Sequence, residues 1–328
     1  MSNVVKTFSN KCLSLSYLGE NWNNSLMQSI IEAGRTISYI ETLNPEKADK
    51  FHLSIKGSDK RLFMREFEKV VRFAIAKLKL KRVKIAFDTT EDLTWIKEGY
   101  HLRPSVYEHQ LLCWNYLNVS IVEPEFFPLM SVPYTMFDNL DNLVIDLLNY
   151  VKTLPFTVEL ILFDRGFYHT HLIDYLENKD WNYLMLVPEN KKVKEYIGQT
   201  DSFNFFRHEF KYKKEKSSWK ISTAIIVRRI DDKTCWCYAT NQKPCLFLVR
   251  QYSKRWNIET GFRIHDEARI KSKSRNSLIR FFCHLMGMLL IILWRLQNIV
   301  NHYVFKRFLK LLEYQFYSKE IKELMAPP

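Results

Sequence analysis

The chain has 328 residues, 47% of them hydrophobic and 15% aromatic, with only 8 Gly and 10 Pro. Those totals exclude a disordered, collagen-like or linker-dominated chain and allow a sizeable core with an insertion or a small second domain. Lys and Arg number 49 against 36 for Asp and Glu, and the net charge of +13 points to a polyanionic partner, nucleic acid ahead of an acidic membrane surface. Six cysteines spread thinly over this length do not form a secreted disulfide framework, and Met1 to Ser16 lacks a signal pattern. The expectation is a protein of the reducing cytosol.

Residues 1–80 read as a helical region. Ser25 to Tyr39 and Lys60 to Leu80 carry apolar residues at three- and four-residue spacing, with Phe63, Phe67, Val70 and Val71 on one face of the second. No helix-turn-helix signature stands out, so a DNA-binding module and a helical layer on the core both remain open. At Lys81 the period becomes two: Val83, Ile85 and Phe87 alternate with Lys84 and Ala86, and a strand is expected to end on Asp88. Extended stretches follow at His109 to Val122 and Phe126 to Tyr134. The spacing of Leu140, Leu143, Val144, Leu147, Leu148 and Val151 predicts an amphipathic helix capped by Asp138 and ended by Pro155.

The apolar run Val158 to Phe163 predicts a strand covered on both faces that leads into Asp164. A helix over Thr170 to Asn178 and a strand over Tyr183 to Val187 complete a βαβ alternation. From 203 to 243 the texture is β again, with strands at Trp219 to Val227 and Cys235 to Ala239, which suggests an inserted sheet. Helix returns at 244–328. Within it, Phe281 to Trp294 is nearly all apolar but too short for a bilayer, so it reads as a core helix and no membrane contact is expected. A charged helical tail runs from Lys306 to Leu324.

Three acids share one kind of setting. Asp88 and Asp164 each follow a strand, where a rigid element presents a side chain to a cleft, and Glu259 lies on a helix with Tyr252, Arg255 and Arg263 on the same face. Two strand carboxylates and one helix carboxylate make a hard-oxygen set suited to Mg²⁺ or Mn²⁺. Each element also has a plainer reading. Aspartates after strands often cap turns, and Arg255 with Glu259 at i, i+4 can be a simple helix ion pair.

The strings AFDTTED (Ala86 to Asp92), LILFDRGFY (Leu160 to Tyr168), CYATN (Cys237 to Asn241) and YSKRWNIETGFR (Tyr252 to Arg263) resemble the successive motifs of DDE insertion-sequence transposases. They most resemble the insertion sequence family four branch, whose signature is Tyr, two residues, Arg, three residues, Glu, six residues, Lys. Tyr252, Arg255 and Glu259 keep that spacing, whereas Asp266 stands at the signature's Lys, with Arg269 and Lys271 the nearest cations.

The resemblance implies an α/β fold: a ribonuclease-H-like mixed sheet flanked by helices over 81–202, with the β-rich insertion at 203–243. It implies Asp88, Asp164 and Glu259 as catalytic metal ligands for Mg²⁺, with Mn²⁺ able to substitute. Tyr252, Arg255, Arg263, Arg269 and Lys271 would attend the DNA. The implied reaction is cleavage at the ends of an element followed by strand transfer into target DNA, by a protein of the cytoplasm and nucleoid that pairs two ends, as a homodimer would. A non-enzymatic DNA-binding relic and a metal-dependent nuclease of the same fold are the alternatives.

Other motifs stay outside that scheme. Cys235, Cys237 and Cys245 with His169 and His171 lack the paired spacing of structural zinc, and the cysteines read as buried free thiols. The basic run Lys211, Lys213, Lys214 and Lys216 is either a solvated face or a track for DNA backbone.

Overall fold

The computed structural model describes residues 45–314 apart from 100, 107, 109, 215–216, 273, 300–301 and 313. The expected helix Ser25 to Tyr39, Lys216, and the tail past residue 314 lie outside the described residues, as do the side chains of Lys211, Lys213 and Lys214.

Nine strands form one mixed sheet: β1 (Arg82–Thr94), β2 (Arg103–Pro104), β3 (Leu112–Glu123), β4 (Phe127–Tyr134), β5 (Thr157–Phe163), β6 (Tyr183–Leu186), β7 (Phe203–Lys214), β8 (Ser217–Arg229) and β9 (Cys235–Thr240). Their order is β2-β3-β1-β5-β6-β9-β8-β7, with β4 also on β3. β1, β5 and β6 run parallel, while β3 is antiparallel to β1 and β4 to β3. Among the described residues the helices beside the sheet include α1 (Pro45–Lys56), α2 (Lys60–Leu78), α3 (Leu140–Lys152), α4 (Thr170–Asn178), α5 (Lys191–Gly198), α6 (Leu246–Gln251), α7 (Trp256–Ala268) and α8 (Ser277–Gln297), and residues 305–312 are helical as well. The mixed α/β class read from the sequence is the class observed.

The central strands are buried because their composition demands it. Leu160 to Phe163 in β5 and Ile85 to Phe87 in β1 are fully covered, as a parallel sheet with helices on both faces requires. The segment 203–243 departs from expectation. It is no separate sheet, since β9 zips onto β6 through Leu184↔Thr240, Met185↔Ala239 and Leu186↔Tyr238 and so extends the core sheet. β6 has four residues and would otherwise leave a raw edge; β9 closes it, and Thr240 Oγ1 donates to the Tyr183 carbonyl at 2.6 Å. Helix α5, which leads into β7, was not foreseen; it starts on Asn190, whose side chain accepts from Val193 N.

Two local expectations need correction. α3 is capped by Asn139, while Asp138 folds back to accept from Thr135 N at 2.7 Å. The apolar helix α8 runs 21 residues, long and apolar enough by itself to cross a membrane, so shortness does not argue against a span. Its burial does: 83% of its most apolar window is packed inside the protein, against α2, β4 and α7. Gly287 permits the α7 contact, because a Cβ there would sit 2.8 Å from His265 Nε2.

Candidate active site

The site forms where β1 and β5 separate. Their parallel register pairs Ala86 with Leu162, and one step of the pleat further places Asp88 beside Asp164 on the same sheet face. β5 stops at Phe163. β1 does not end at Asp88, as expected, but continues to Thr94 because β3 pairs with it along this whole extension. The result is a cleft of about 380 Å³ beside the free edge of β1, lined by Asp88, Thr89, Thr90, Asp164, Arg255, Glu259, Arg263 and Asp266 among others.

Asp164 begins a 3-10 turn over Arg165–Phe167, yet its side chain makes no capping hydrogen bond. The plainer reading of Asp164 as a turn-former's side chain therefore does not hold. Asp88 is 20% exposed; Oδ1 accepts from Thr89 N at 2.8 Å, and Oδ2 lies 3.4 Å from Arg255 Nη1. Burial first, with repulsion from Asp164 and Glu259 behind it, pushes the Asp88 carboxyl up to about 6 against the pull of Arg255 and the Thr89 amide. Glu259, in the first turn of α7, accepts from Arg255 Nη2 and is half-exposed.

The helix expected to return after residue 244 is wound in three pieces up to Ala268: α6, a 3-10 turn over Tyr252–Arg255, and α7. The tighter turn buries Tyr252 and Arg255. Tyr252 donates its hydroxyl to the Phe163 carbonyl at 3.1 Å and stacks at a tilt on Tyr238, so it fastens this turn to the residue before Asp164. Burial works against the charge of Arg255, but Tyr252, Asp88, Asp164 and Glu259 outweigh it and hold the guanidinium above its ordinary range. The i, i+4 ion pair with Glu259 is thus present, and it is one arm of a bridge that also reaches Asp88 across the sheet.

The remaining cations separate into two kinds. Arg263 and Lys271 are exposed, and Arg263 stands on the cleft wall. Arg269 is instead drawn to Asp92, with Nη1 at 3.1 Å from Oδ1, while Arg280 Nη1 reaches the other oxygen at 3.3 Å. That anchor ties the end of α7 and the start of α8 to the β1 extension. Asp92 stands inside the AFDTTED motif, but its pairing partners Arg269 and Arg280 lie too far along the chain for its work to be read from spacing.

His169 and His171 both approach Asp141, at 2.8 and 3.8 Å, and Cys245 caps α6 through its sulfur. Among the described residues no group of three His, Cys, Asp or Glu side chains is arranged to hold a metal ion. The donor chemistry of the acid cleft nevertheless fits a hard divalent cation: Asp88, Asp164 and Glu259 face one cleft, and Asp88 is made costly to ionise by its burial first and by the other two acids after it.

Residues 142–294 match the family model described as a transposase DDE domain. That stretch holds Asp164 and Glu259 and leaves Asp88 outside it. A search of curated proteins returned no match. Among solved structures, the chain is similar to the piggyBac transposase in its synaptic complex with hairpin DNA, with a TM-score of 0.61 at 11% identity, covering 98% of this chain and 78% of that one. At that identity the likeness speaks for the fold alone.

Proposed function

We propose that this protein is a transposase of the insertion sequence family four branch that cleaves the ends of an element and transfers the freed strand to target DNA. The observation that carries the reading is the gathering of Asp88, Asp164 and Glu259 into one cleft, two from adjacent parallel strands and one from a helix, although long stretches of chain separate them. Asp88, Asp164 and Glu259 would hold Mg²⁺, which supplies activation of a water or 3′-hydroxyl and stabilisation of the leaving oxygen in phosphoryl transfer.

The chain's own residues do the positioning. The sheet fixes Asp88 beside Asp164, and the Tyr252 hydroxyl on the Phe163 carbonyl holds the Arg255 turn against them. Tyr252 acts by that anchorage. In this reading Arg263, on the cleft wall, and the exposed Lys271 take DNA phosphates, while Arg269 is committed to Asp92. A net charge of +13 supplies the long-range attraction for DNA. Two element ends need two sites, which a homodimer on DNA provides.

A second reading rests on Asp266. It lines the cleft where the signature expects a cation, and it lies 3.8 Å from Arg269. An acid there opposes a phosphate and favours a nuclease that cuts without joining, or a binding relic. Incubation with Mg²⁺ and duplexes of the DNA on either side of the gene, inverted repeats included where they occur, separates the three: cleavage with strand joining supports the transposase, cleavage alone the nuclease, and binding alone the relic.

A further inference from the structure

Arg255 stands between two hollows that share Asp164. One is the acid cleft; the other, also about 380 Å³, is lined by Arg165, Trp236, Tyr252 and Trp256. The Arg255 side chain is 9% exposed, its Nη1 and Nη2 are given to Asp88 and Glu259, and its buried Nε has no hydrogen-bond partner. One monovalent cation therefore already serves two of the three carboxylates that the proposed function assigns to divalent ions. A guanidinium and a divalent ion repel strongly at such range, and a carboxylate oxygen that accepts from an arginine has less to offer a metal.

Resting on that functional reading, we propose that Arg255 is an exchangeable counterion. In the metal-free protein it holds Asp88 and Glu259 together, and it competes with the divalent cation for their oxygens. Its hold on Asp88 is long, at 3.4 Å, and its Nε is unsatisfied, so the guanidinium is not locked where it lies. The adjoining hollow, whose wall includes Asp164 and Glu189, offers it room on the side away from Asp88 and Glu259. Arg255 is thus a positioning residue whose removal has a paradoxical signature: it should improve metal binding while removing a cation from the site.

Titration of the full-length protein with Mn²⁺, followed by the free-ion electron paramagnetic resonance signal, tests this without DNA or catalysis. Arg255→Gln should bind Mn²⁺ at least tenfold more tightly than wild type. Arg255→Lys, which keeps a charge that cannot bridge both acids, should fall between them and guards against a glutamine variant that fails to fold. Unchanged or weaker Mn²⁺ binding by a folded Arg255→Gln or Arg255→Lys protein overturns the competition. Asp88→Ala separates the two levels: if it binds Mn²⁺ as wild type does, the metal assignment itself is wrong, whatever Arg255 does.

Discussion

Phe87 and Phe163, the residues immediately before Asp88 and Asp164, lie ring against ring with centroids 5.2 Å apart and planes 15° from parallel. Because side chains alternate along a strand, the stacked pair faces one side of the sheet and the aspartates the other. The aromatic contact thus fixes the spacing of the two acids from beneath. Both rings are fully buried, so Phe87→Ala should cost about 3–5 kcal/mol of stability. Urea denaturation measures that cost, and DNA cleavage at a temperature where the variant remains folded should fall as well. A variant that loses the stability and keeps full cleavage would show that the stack carries the fold and not the site.

Substituting Asp88, Asp164 or Glu259 by Ala should abolish metal-dependent cleavage while leaving the fold and DNA affinity in place, since each removes a cleft carboxylate and none a core contact. Asp88 carries an added signature. Its folded pKa of about 6 lies above the ordinary 3.8, so the folded state binds its proton more firmly and its ionisation costs stability as pH rises from 3.8 to 6. Asp88→Asn should therefore stabilise the metal-free protein at pH 7.5 by up to about 3 kcal/mol, and much less at pH 4.5. Equal melting-temperature shifts at both pH values would refute the buried-carboxylate account.

His265 and His284 predict the opposite trend. Both are fully buried, and burial lowers their pKa values below the ordinary 6.5; the two also face each other, with Arg269 nearby. The unfolded chain therefore takes up these protons near 6.5 more readily than the folded protein does, and stability is lost as pH falls through that value. Asp88 offsets part of this loss below pH 6, where its protonation favours the folded state. Thermal melts of metal-free protein from pH 7.5 to 5 should show a falling midpoint; a flat or rising one counts against neutral, buried histidines.

Much of this was legible in the chain. The period of two before Asp88 and the apolar run before Asp164 identified both strands, because burial on a sheet writes itself locally. The Tyr252, Arg255, Glu259 spacing likewise marked the helix that brings the third acid. What spacing cannot carry is pairing across the fold. The continuation of β1 to Thr94 depends on β3, the merging of 203–243 into the core sheet depends on the exposed edge of β6, and the commitment of Arg269 depends on Asp92, 177 residues away. The bridge from Arg255 to Asp88 is of the same kind.

Glu259 reaches the cleft because α7 lies unusually close to the chain between β3 and β4, and Gly261 makes that approach possible. A Cβ at Gly261 would stand 2.2 Å from Phe126 Cε2 and Cζ. Phe126 has little room to yield: its ring is buried, and its carbonyl accepts from Arg295 Nε at 2.9 Å. In an open helix interior Gly→Ala would add roughly 1 kcal/mol of stability. Here α7 must shift or the ring must leave its rotamer, so Gly261→Ala should instead cost about 1–3 kcal/mol. The shift acts two residues from Glu259, and cleavage should fall further than the loss of folded protein explains. Phe126→Leu makes space at the point of contact, so the double variant should recover part of both losses, which a double-mutant cycle in urea and in the cleavage assay resolves. If Gly261→Ala is as stable as wild type, or if the two substitutions add independently, the close approach of α7 is not what places Glu259.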